Sequence, residues 1–260
     1  MVLSWASAPG LAQAHAAPAP PRPAEQLHPA LWRAHQLGQQ RGATWPSGFA
    51  ALDAELPGGG WPAGALTELL PAHAGVGEMR LVAPALVAVQ RQQRCVMLFE
   101  PPAALHAWAW QALGIHMQHL VLVQSRGRAR GAGDTTADVL WALEHALKSG
   151  QVGAVLAWLP PRLRGDALRR LQLAAQSHPG PAFVLRDSQA RANPSVAPLR
   201  LALAPAGADA LQVQLLKRRG PPLAQPLVLA LPPVLALPSS PRARAGRSTQ
   251  PPLPALLDMA

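Results

Sequence analysis

Five short, almost wholly apolar runs occupy the middle of the chain: LTELLP (66–71), CVMLFE (95–100), HLVLVQS (119–125), GAVLAWL (153–159) and PAFVLRD (181–187). Segments with helical spacing stand between them. GEMRLVAPALVAVQRQQ places Leu81, Ala85, Leu86 and Val89 on one face, with Pro84 in the first turns, and LHAWAWQALG closes at Gly114. DTTADVLWALEHALKSG has Asp134 as N-cap, a stripe of Leu140, Leu143 and Leu147, and Gly150 as stop, and DALRRLQLAAQSH follows. Strands that are apolar throughout, separated by helices of about 10–15 residues, demand a mostly parallel sheet covered on both faces. After residue 198 the pattern changes: PLRLALA, LQVQLLKRR and PLVLALP follow one another without helices. The expected fold is therefore α/β, with an antiparallel extension of the sheet on the C-terminal side.

A chain of 260 residues that is 49% hydrophobic has material for one sizeable core with looser ends. Residues 1–24 read as a disordered Pro/Ala-rich leader, EQLHPALWRAHQLGQQ as a helix within 25–42, residues 43–232 as the core, and 233–260 as a disordered Pro/Ser/Arg-rich tail. No apolar window approaches the roughly 18 residues needed to cross a bilayer, so no membrane partner is expected. The single cysteine, Cys95, lies in the apolar run RCVMLF and excludes an internal disulfide; a buried structural thiol in a cytoplasmic protein is the expectation. Lys and Arg number 23 against 13 Asp and Glu, a net charge of +10. That excess favours nucleic acid or acidic partners, but Arg, Ala and Pro enrichment also follows from GC-rich coding.

The stretch LPGGGWPAGALTELLPAHAGVGEMR has the layout of a phosphate-binding turn: glycines, a short strand, a second Gly-containing turn and a helix. Such a turn needs backbone N–H groups to wrap the phosphates, a Lys for their charge and a hydroxyl for Mg²⁺. With Gly75 and Gly77 as the glycines of the second turn, Glu78 stands in the lysine position and Met79 in the hydroxyl position. A carboxylate facing a triphosphate repels it by roughly 4 kcal/mol at 4 Å and an effective dielectric of about 20. The turn is expected to be structural, and Glu78 to be a surface charge whose replacement costs within about 0.5 kcal/mol.

The segment from GFAALDAELPGGGWPAGALTELL through VMLFEPPAALHAWAWQALGI to GAVLAWLPP resembles the RecA-type ATPase core. Together with LHPALWRAHQL it is more closely similar to the ImuA family, RecA-like accessory proteins of bacterial mutagenic translesion synthesis, over roughly residues 26 to 230. The resemblance implies a RecA-like fold whose ATPase positions have degenerated. The family's catalytic glutamate aligns with Pro102, with Glu100 two residues before it, and the acidic residue at the end of the Mg²⁺-orienting strand aligns with Trp158. It implies no nucleotide cofactor, no catalytic residue and no metal, and it names partners: an ImuB-like, catalytically inactive Y-family polymerase, an error-prone DNA polymerase subunit, and RecA. Two alternatives stay open, an active RecA-like DNA-dependent ATPase and a SulA-like cell-division inhibitor.

Other constellations are weaker. His116 and His119 in GIHMQHL form an H-x-x-H with no Cys or carboxylate near in sequence, and read as solvated loop histidines. Trp108 and Trp110 cannot share a helix face, so one belongs to the core and the other to the surface. Gln189 falls near a RecA nucleotide-sensing glutamine, yet reads as a polar loop residue. SRGRARGAGD (125–134) is a cationic loop that either touches DNA or is merely solvated. From Lys217 the cations Arg218, Arg219, Arg242, Arg244 and Arg247 meet no acid before Asp258, which makes this region the candidate contact for a protein partner or DNA.

Overall fold

The computed structural model describes residues 42–125 and 135–233. The leader, the helix expected within 25–42, most of the cationic loop, and Arg242, Arg244 and Arg247 lie outside the described residues.

Among the described residues, ten strands and five α-helices follow the alternation of the sequence. A two-residue strand β1 (Thr44–Trp45) pairs antiparallel with β2 (Trp61–Pro62), and the short helix α1 (Ala50–Asp53) lies between them. The main elements are β3 (Leu66–Pro71), α2 (Glu78–Arg91), β4 (Cys95–Phe99), α3 (Ala107–Ala112), β5 (Leu120–Val123), α4 (Thr135–Lys148), β6 (Val152–Trp158), α5 (Gly165–Ala175) and β7 (Ala182–Leu185). Three consecutive strands complete the order: β8 (Leu199–Gly207), β9 (Ala210–Lys217) and β10 (Leu227–Ala230).

Eight of these strands form one sheet in the order β10-β9-β8-β3-β7-β6-β4-β5. β3 through β8 pair in parallel, and β9 and β10 add antiparallel, as the loss of intervening helices predicts. The phosphate-turn strand β3 sits between β7 and β8, buried at all six positions. One face of the sheet packs against α2 and Trp110 of α3, the other against α4 and α5. Leu81, Ala85, Leu86 and Val89 are fully buried, and each large aliphatic side chain so placed contributes about 1.5–3 kcal/mol.

Three elements differ from the expectation. HLVLVQS yields only a four-residue strand at the sheet edge, with Val121 42% and Leu122 43% exposed. An edge strand is flanked on one side only, so its apolar content exceeds its burial. LHAWAWQALG shortens to the six residues of α3, which puts Trp110 in the core and leaves Trp108 80% exposed. The β1–β2 pair has no periodic signature and is held instead by Trp61, whose ring meets Phe183 of β7 edge-on at 5.2 Å.

Candidate functional site

The turn from β3 into α2 carries the site. Gly75 and Gly77 both adopt positive φ, +81° and +118°, and Gly77 caps α2 in a left-handed conformation. A side chain at Gly77 would also strike Leu231, since its Cβ would fall 2.6 Å from the Leu231 Cδ1. This geometry points backbone N–H groups into one concavity at a helix N-terminus, an arrangement that attracts anions.

Glu78 supplies the anion. It is the first residue of α2, is 4% exposed, and turns its carboxylate back into the turn. Its Oε1 accepts from the Gly75 N–H at 2.8 Å and its Oε2 from the Gly77 N–H at 3.1 Å. The expectation of a surface charge is thus corrected. Glu78 satisfies two amides that would otherwise be unpaired, and its charge lies at the favourable end of the helix. Met79 packs against the core. Arg80, the nearest following cation, points away: its guanidinium donates to the carbonyls of Ala208, Leu231 and Pro232 and pairs with Asp209 at 2.5 Å.

A cleft of about 240 Å³ opens beside Glu78 at the C-terminal ends of β3, β6 and β7, with Pro102, Trp158 and Leu185 among its walls. The structure therefore brings together Glu78, Pro102 and Trp158, three positions singled out in separate parts of the sequence. Glu100 faces a neighbouring cleft of about 200 Å³, with Trp158 shared between the two. It has φ +51°, and its carboxylate accepts from the Ser125 N–H.

Behind the cleft lies a cluster that the sequence reading missed. Glu68 of β3 is 1% exposed and pairs with Arg186 at 2.7 Å and with Arg200 at 2.5 Å. Arg186 also donates to the carbonyls of Pro160 and Pro161, and Arg200 to that of Ala190. One carboxylate and two guanidiniums thereby fix the loops after β6 and β7. The available signal was a lone Glu in an otherwise apolar interior strand, which calls for a buried partner.

The remaining candidates separate. Lys217 donates to the Ser195 carbonyl, and Arg218 pairs with the Glu55 carboxylate at 2.7 Å, while Arg219 is exposed. Gln189 is exposed in a short 3₁₀ turn, where its N–H donates to Asp187. The carbonyls of His116 and His119 accept from the buried Gln90 side chain. Among the described residues, no group of three or more His, Cys, Asp or Glu side chains is placed to hold a metal ion, and no described helix is long and apolar enough to cross a membrane. Comparison with known proteins finds no matching family model and no matching curated protein.

Proposed function

We propose that the chain is a RecA-like interaction module of the ImuA kind that does not use nucleotide, and that it serves SOS-induced error-prone translesion DNA synthesis by presenting binding surfaces. The observation that carries the reading is the Glu78 carboxylate seated on the Gly75 and Gly77 amides. An anion belonging to the chain occupies the cradle that a phosphate would need, and a second anion brought within about 4 Å would be repelled by roughly 4 kcal/mol. Pro102 and Trp158 in the adjoining walls offer no carboxylate at the positions where the resemblance would put one, and Asp187, the acid of the cleft besides Glu78, accepts from the Gln189 N–H. The position of β3 within a parallel sheet, with β9 and β10 extending it antiparallel, is consistent with the resemblance to the RecA core.

The partners follow from that resemblance: an ImuB-like inactive polymerase, an error-prone polymerase subunit and RecA, in the cytoplasm and with DNA as a further candidate. Two measurements test the reading. A ligand at 100 times its Kd adds about 2.7 kcal/mol of stability, so ATP with Mg²⁺ should leave the melting temperature unchanged. The full chain should retain an ImuB-like polymerase in a pull-down. An ATP-dependent rise in melting temperature, or failure to retain that partner, overturns the corresponding half of the proposal.

A further inference from the structure

The residues between α5 and β7 fasten the β1–β2 segment to the N-terminal end of the sheet. The Gly64 N–H donates to the His178 carbonyl at 3.0 Å, the Trp45 Nε1–H donates to the Pro179 carbonyl at 3.2 Å, and Ala63 bridges Pro181. Residues 178–181 are thus a strip that ties down Trp45, Ala63 and Gly64, beside the Trp61–Phe183 contact and the Glu55–Arg218 pair that also hold this segment. The His178 ring lies beneath that strip, 1% exposed, and among the described residues neither of its nitrogens has a well-aligned hydrogen-bond partner. The space around it is closed: a Cβ on Gly180 would lie 3.2 Å from the ring Nε2 and 1.6 Å from the Gly153 carbonyl oxygen.

A neutral imidazole tolerates this pocket and an imidazolium does not. Burial disfavours the charged ring most, and the Arg94 guanidinium disfavours it further, against a weak opposing pull from the Leu147 backbone. The pKa falls from 6.5 to about 4. Arg94 is the charged group acting on the ring, and it is itself held by the carbonyls of Gly150 and Val152 at 2.6 and 2.9 Å.

We propose that His178 is an acid-sensitive latch: uptake of one solvent proton by its ring opens the 178–181 strip and releases the ties it makes to Trp45, Ala63 and Gly64. The open ring titrates near its ordinary value and the closed ring well below it. Closure is therefore fully favoured above pH 6.5 and weakens as the pH falls towards 4, with the opening constant rising about tenfold per pH unit in that window.

Hydrogen exchange read by mass spectrometry on the full chain from pH 7.5 to 4.5, corrected for intrinsic rates, tests this. Peptides covering 61–66 and 177–182 should show the tenfold-per-unit rise below pH 6.5, as should the Val155 amide that donates to the Pro181 carbonyl, while peptides of β9 should not. His178→Phe should remove the slope. Should that variant not fold, the imidazole Cε1–H signal of the wild-type protein gives an independent reading, and it should titrate below pH 5 in the closed state. A flat response in the wild type, a slope surviving in His178→Phe, or a ring that titrates near 6.5 overturns the latch.

Discussion

Glu68 and Arg200 stand opposite one another in the parallel register of β3 and β8, and the Glu68 Oε2 accepts from the Arg200 Nε at 2.5 Å. Arg186 holds the other oxygen of the same carboxylate. Removing Glu68 leaves two buried guanidiniums facing each other, so Glu68→Ala should destabilise the fold by about 3–5 kcal/mol in urea unfolding. Replacing all three residues with apolar ones of similar volume should recover most of that loss, because the desolvation cost of the charges disappears with them. A Glu68→Ala cost below about 1 kcal/mol would show that the cluster does not hold the sheet.

Glu78 gives a second expectation. Glu78→Ala strips the Gly75 and Gly77 amides of their acceptor, which should cost about 1–3 kcal/mol, well above the cost of changing a surface charge. The emptied turn should then bind inorganic phosphate or sulfate, so the variant should gain stability with added phosphate where the wild type gains none. Thermal melts of both proteins across a phosphate series decide it; equal responses would mean the turn has lost anion affinity altogether.

Gly77 is constrained twice, by its positive φ and by the Leu231 methyl 2.6 Å from a would-be Cβ. Gly77→Ala should cost about 1–3 kcal/mol. Adding Leu231→Ala should relieve the collision but not the backbone strain, and a double-mutant cycle would report the difference as a coupling energy of opposite sign to the strain.

The cations after β9 should divide by role. Arg218→Ala breaks the pair with Glu55 and the donations to the Glu55 and Pro221 carbonyls made by a side chain only 11% exposed, and should lower stability by about 1–2 kcal/mol; Arg219→Ala should leave it unchanged. If this region contacts DNA, Arg219→Ala weakens binding for every sequence alike and reduces the salt slope by about one. Removal of residues 239–260 is expected to lose the polymerase-like partner and keep DNA affinity, read by pull-down and by titration at two salt concentrations.

The strands were legible because continuous apolar runs in this spacing admit few alternatives, and α2 and α4 because their buried stripes repeat at helical period. β5 was legible as a strand but not as an edge, since apolar content says nothing about what lies on either side. The β1–β2 pair is too short for any period and depends on Trp61 reaching Phe183. Within the site, the sequence identified Glu78 as the odd residue in a phosphate turn but not the direction of its carboxylate, which depends on the φ values of Gly75 and Gly77. The Glu68 cluster joins residues 118 and 132 positions apart, a separation no local pattern records.

The clamp of Arg80 on the Pro232 carbonyl joins positions 152 residues apart and has a consequence during synthesis. β3 leaves the ribosome early, yet its neighbours β7 and β8 and the residues that brace its turn come later. At about 5–20 residues per second, the interval between residues 80 and 232 is about 8 to 30 s. For most of that time the nascent chain carries an apolar strand destined for the middle of the sheet with its flanks uncovered, because the paired residues of β7 and β8 follow those of β3 by 116 and 132 positions, and the turn closes only when almost the whole core has emerged.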